Sequence, residues 1–110
     1  MADAELIPLM PTRDLSALTD DLCEALRTPN SREEMRRLLS DLCTPAEVRT
    51  LAERWHVARL LDEHDLTYRE IHDGTGVSTT TIVRVGRFLR QEPHQGYRLA
   101  LDRLGGRDAG

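Results

Sequence analysis

Thr67 to Arg90 reads TYREIHDGTGVSTTTIVRVGRFLR. Thr67 with Glu70 is a capping box, in which a hydroxyl and a carboxylate serve each other's backbone amides at a helix start. Gly74 and Gly76 end that helix, where glycine tolerates the positive φ of a turn. Ser78 caps a second helix, and Glu92 and Pro93 stop it. Two short helices around a tight turn are the layout of a helix-turn-helix spanning 67–90. Counted from Tyr68, Ile71 is fourth, Gly76 ninth, Ile82 fifteenth and Val85 eighteenth. The fourth, fifteenth and eighteenth positions of such a motif pack its helices together, and the ninth favours glycine in the turn. His72 departs from the pattern, because the fifth position sits at a close crossing and favours a small residue.

The two sides of the second helix differ in chemistry. Ile82, Val85 and Leu89 share one face; Thr79, Thr80, Val83, Arg84, Arg87 and Arg90 fall largely on the others. Short side chains near the N-terminal end let a backbone approach base edges, and threonine can bond an edge or touch a thymine methyl. The arginines can neutralise phosphates, which makes binding salt-dependent. The plainer reading of the same pattern is a two-helix corner with a solvated polar face.

The rest of the chain supplies helices to carry this motif. Met1 to Pro11 holds two prolines and no period, and reads as a mobile arm. Leu15, Leu18, Leu22, Ala25 and Leu26 recur at helical spacing over 14–27. Ser31 with Glu34 opens a second helix, with Met35, Leu38, Leu39 and Leu42 as its stripe. Thr44, Pro45 and Glu47 form the strongest helix start in the chain. That helix runs to about His64, with Val48, Leu51, Ala52, Trp55, Ala58 and Leu61 towards a core. Val57 and Leu60 widen its apolar face, which suggests burial on two sides, as in an interlocked dimer. Tyr97, Ala100, Leu101 and Leu104 make a last short helix, and residues 105–110 read as a frayed tail. The expectation is an all-α chain of about six helices, with one helical domain over 12–104.

Composition agrees. The chain has 110 residues, Leu-rich and poor in aromatics, and a partner subunit would help a core of that size. Net charge is −4, but residues 1–65 carry 8 Arg against 14 acids, while 66–110 carry 7 Arg against 5 acids. Positive charge therefore gathers with the helix-turn-helix. All 15 basic residues are Arg, for which a GC-rich genome suffices, although Arg also suits phosphate and guanine. Cys23 and Cys43 lack metal-ligand spacing and read as buried thiols. No apolar run of signal-peptide or membrane-spanning length is present, so the cytoplasm is the default location.

LLSDLCTPAEVRTLAER (38–54) and YREIHDGTGVSTTTIVRVGRFL (68–89) together resemble the Trp repressor superfamily, most nearly its YerC/YecD-type members. The resemblance spans about Leu38 to Leu104. Thr44–Pro45, Arg54, Arg69, Gly76, Thr81–Ile82, Arg84 and Leu89 match without gaps. It implies an intertwined homodimer whose two reading heads enter successive major grooves of a two-fold symmetric operator. By position, Arg69, Thr79, Thr80, Thr81 and Arg84 match DNA-contacting places. Tyr68, His72 and Val83 occupy such places with different residues, so an operator sequence does not carry over.

The resemblance also implies a corepressor pocket at Thr44, Arg54, Arg84, Val85 and Phe88, and here the chain departs. A glycine of the family is Val85 and a serine is Phe88, which adds bulk where an indole must enter. Asp41 and Cys43 replace pocket leucines, and an acid suits neither an apolar slot nor a carboxylate. Tryptophan is therefore not expected as corepressor. Phe88 is expected to fill the slot, leaving Arg54 to pair with Glu47, Glu53 or Asp41, or to serve a different small molecule.

The leading functional reading is a dimeric, sequence-specific DNA-binding regulator, a repressor, with double-stranded DNA and itself as partners. The alternative is a helical adaptor that docks proteins through the same corner, which the net charge of −4 favours. An enzyme is not expected: serines lack a histidine–acid arrangement, no glycine loop suits phosphate, and His56, His64, His72 and His94 share no metal-like spacing with the cysteines. Asp62, Glu63 and Asp65 crowd a helix C-terminus, against its dipole, and call for a compensating cation or solvent.

Overall fold

Side-chain caps start the helices. In the computed structural model, which describes residues 11–109 with side chains through 105, six helices and no strand are present. They are α1 (Leu15–Leu26), α2 (Arg32–Leu42), α3 (Pro45–Glu63), α4 (Tyr68–Thr75), α5 (Thr79–Arg90) and α6 (Gly96–Ala109). The arm assigned to 1–11 lies outside the described residues except for Pro11. Thr44 Oγ1 accepts from the Glu47 amide at 3.1 Å, and the Glu47 carboxylate accepts from the Thr44 amide at 2.8 Å. Thr67 and Glu70 repeat this box at α4, at 3.0 and 2.8 Å. At α2 the Ser31 hydroxyl accepts from Glu34 as expected, but the Glu34 carboxylate accepts from the Asn30 amide instead, at 2.8 Å. The last helix begins after Gln95, whose φ of 56° is stabilised by its side-chain amide donating to the Glu92 carbonyl at 2.8 Å. Its backbone continues to Ala109, past the expected end at Leu104. No proline interrupts it, and glycine weakens a helix without forbidding it.

The chain divides into two compact units, Met1–Leu42 and Cys43–Gly110. The first has no buried residue in either helix. Ala25, Leu26, Met35, Leu38 and Leu39 are half-buried, whereas Leu15 is 74% and Leu18 46% exposed. Cys23 is exposed and Cys43 half-buried, so neither is the core thiol expected. α1 buries nothing that could enclose Cys23.

The second unit holds a core. Val57, Ala58 and Leu61 of α3, Ile71 of α4, Val77 of the turn, Ile82, Val85 and Leu89 of α5, and Leu101 of α6 are all buried. Half-buried Trp55, Leu60, Tyr68 and Tyr97 pack against them. Trp55 stacks on Tyr97, with ring centroids 6.5 Å apart. The core takes only the C-terminal half of α3. Leu51 is 47% exposed and Ala52 exposed, contrary to their expected place in it. The main packing partners of α3 within this unit are α5 and α6, and its buried residues lie in its later turns.

Arg98 of α6 answers the acidic end of α3. Its guanidinium donates to both Asp62 carboxylate oxygens, at 2.8 and 3.2 Å, and to Asp102 at 2.9 Å. These hydrogen bonds hold the Asp62 carboxyl below its ordinary value, against a smaller opposing effect of burial. They raise Arg98 from its own ordinary value, first through Asp62. Glu63 pairs with Arg59 at 3.2 Å.

Candidate nucleic-acid interface

The turn between α4 and α5 is held by its own hydrogen bonds. Gly76 takes φ 76°, in the left-handed region that the ninth position of the motif demands. Thr75 Oγ1 donates to the Ile71 carbonyl at 2.6 Å and accepts from the Val77 amide at 3.1 Å. His72 Nδ1 lies 2.8 Å from the Val77 carbonyl oxygen. A carbonyl only accepts, so Nδ1 carries the proton. The large residue at the fifth position is thus accommodated by facing outward and tying the turn. Close approach is transferred to Gly86, buried in mid-α5, where an added Cβ would strike the Tyr68 phenol.

Ile82 and Val85 are wholly buried and Leu89 nearly so, as the motif requires of the inner face of α5. On the outer face Thr79, Thr80, Val83, Arg84, Arg87 and Arg90 are all exposed. Thr81 is half-buried, and its hydroxyl accepts from Ser78 Oγ at 3.0 Å, within the helix cap. Arg69 is exposed on α4, 3.8 Å from Asp73, and shares an open notch with His72, Asp73 and Thr79. Tyr68 is half-buried against Gly86. The structure therefore gathers Arg69, His72, Thr79, Thr80, Val83 and Arg84 on the surface of one two-helix unit, and leaves Tyr68 and Thr81 partly in its packing.

The residues of the expected pocket have separate fates. Val85 is fully buried at 0% and belongs to the core. Phe88 is only half-buried, so it does not close into that core. Its ring instead seats cations: the Arg84 guanidinium lies 4.2 Å and that of Arg87 5.0 Å from its centroid. His94 stacks beside it at 6.0 Å, and Arg84, Phe88 and His94 with Gly96 and Tyr97 line a shallow hollow. The Arg54 Nε is buried without a hydrogen-bond partner. Of its expected partners within this unit, Glu47 is engaged in the α3 cap and Glu53 lies 3.6 Å from Arg49. Thr44 is committed to the same cap.

Three participants escaped the sequence reading. Gly86 carried a signal, since glycine inside a helix costs about 1 kcal/mol relative to alanine and needs a reason. His94 and Arg98 carried none, because their partners are brought to them by the fold.

A capped, left-handed turn between α4 and α5, with a buried inner face and a basic outer one, defines a helix-turn-helix protein. Residues 17–105 match the family model described as Trp repressor protein. The protein YerC of Bacillus subtilis is 42% identical over 85 residues, covering 77% of this chain and 80% of YerC. A TrpR-like protein from Eubacterium eligens superposes with a TM-score of 0.73 at 36% identity, over 81% of this chain and 90% of that one. A candidate Trp repressor from Staphylococcus aureus gives 0.74 at 34% identity, over 86% and 95%. The chain belongs to the Trp repressor family, a class of DNA-binding regulators rather than enzymes. No helix among the described residues is long and apolar enough to cross a membrane.

Proposed function

We propose that the protein is a dimeric repressor that reads a two-fold symmetric operator through α5, without tryptophan as corepressor. The observation that carries this is the outer face of α5: Thr79, Thr80, Val83 and Arg84 stand exposed on a helix whose opposite face is locked in the core. Short side chains allow close approach to base edges, and Arg69, Arg84, Arg87 and Arg90 supply charge for phosphates. A second copy covers the leucines of α1 and α2 and the early turns of α3, making one domain of what is two units in the single chain. Burial of Val85 supports the exclusion of tryptophan, because a filled position leaves no room for an indole ring.

The test is the affinity of the full chain for duplexes enriched from a randomised pool, measured against salt. Log affinity is expected to fall steeply with log salt. Arg69→Ala should flatten that slope by about one counterion. Thr80→Asp should weaken binding at least about tenfold, since a carboxylate would face phosphates and acceptor edges. Added L-tryptophan should change nothing. A slope near zero would favour the adaptor reading, and unchanged affinity in both variants would remove α5 as the reading face.

A further inference from the structure

The side chains that α5 presents are unusual for what they lack. None of its exposed residues is Asn, Gln, Asp or Glu, the types that pair with adenine or cytosine edges. Two of its three arginines pack on its own aromatic ring. Arg84 and Arg87 lie over the Phe88 ring, and Arg87 also reaches Glu92 at 3.4 Å. The Thr81 hydroxyl is engaged with Ser78. What remains free on the first two turns is Thr79, Thr80 and Val83. Val83 is 55% exposed, and helical spacing makes Thr79 and Thr80 its neighbours at i−4 and i−3. Together they form one patch of branched side chains, each carrying at least one methyl group, and the Val83 side chain offers no hydrogen bond at all.

From this patch we infer that the reading head selects thymine by its C5 methyl group, with Val83 as the central contact flanked by the methyls of Thr79 and Thr80. The inference rests on the reading of α5 as a DNA-binding helix. In the major groove the thymine methyl is the only apolar mark a base pair shows, and apolar side chains pack against it. A methyl group taken out of water contributes about fourfold in affinity, and two symmetric half-sites about fifteenfold. A valine at the centre of a base-reading surface has no other partner there.

The probe is the duplex most enriched by the full chain from a randomised pool. Each thymine is replaced in turn by deoxyuridine, which keeps the pairing edge and loses only the methyl. At one or more positions per half-site, affinity should fall about fourfold, and about fifteenfold when both half-sites are changed. Val83→Ala should bind the unmodified duplex more weakly and lose the penalty at its position. Thr79→Ser and Thr80→Ser, which keep the hydroxyl, should do so at neighbouring positions. All three residues are exposed, so circular dichroism should report unchanged folding. Enrichment of a sequence whose deoxyuridine forms bind equally well would overturn the inference alone, as would penalties that persist in all three variants. Failure to enrich any sequence, including capture of a protein partner by this face instead, would overturn it together with the DNA-binding reading.

Discussion

Arg98 shows how one side chain can join two distant stretches. It stands 36 residues from Asp62 and clamps both carboxylate oxygens while holding Asp102 on its own helix. Because the Asp62 carboxyl is held below its ordinary value near 3.8, its contribution is complete above the unfolded-state value and is lost as pH falls through the lower folded one. Both partners keep solvent access, which limits the pair to under about 1 kcal/mol. Arg98→Ala should therefore lower the melting temperature by a few degrees at neutral pH, with the gap to wild type closing as pH falls below the ordinary carboxyl value. A melting series across that range checks it. The crowding of acids at the end of α3 was legible in the sequence, and so was the need for compensation. Which cation would supply it was not, because that depends on where α6 returns.

Among the elements, α4 and α5 were readable almost to the residue. Their signals are local: Thr67 with Glu70, the glycine before Val77, and Ser78 act within a few residues of themselves. Signals that depend on a neighbouring element were less legible. Phe88 has the size to fill a slot, but the return of His94 beside it turns the ring into a seat for Arg84 and Arg87. Leu51 has the period of a core residue, yet no element of its own unit covers it. Tyr68 of α4 lies against Gly86 of α5. Gly86→Ala gains about 1 kcal/mol of helix propensity, but displacing the phenol costs about 1–3 kcal/mol. The expected outcome is a net loss of stability by denaturant titration. Combining it with Tyr68→Phe, which removes the oxygen nearest the added carbon, should recover part of that loss.

For the whole molecule, the single chain is an incomplete object. Among the described residues, the first unit buries none, its leucines at 15, 18, 22 and 42 are exposed, and the core lies in the second unit. Helices that expose such stripes need a partner, and the proposed partner is a second copy. Dimerisation would also create the two-fold axis that places two α5 helices on one side of a duplex. The most direct test of this account is a hydroxyl-radical footprint of the full chain on its enriched duplex. It should show two protected patches related by two-fold symmetry, with their centres about 10 base pairs apart. A single unsymmetrical patch, or protection that is lost with Thr80→Asp in neither half, would contradict it.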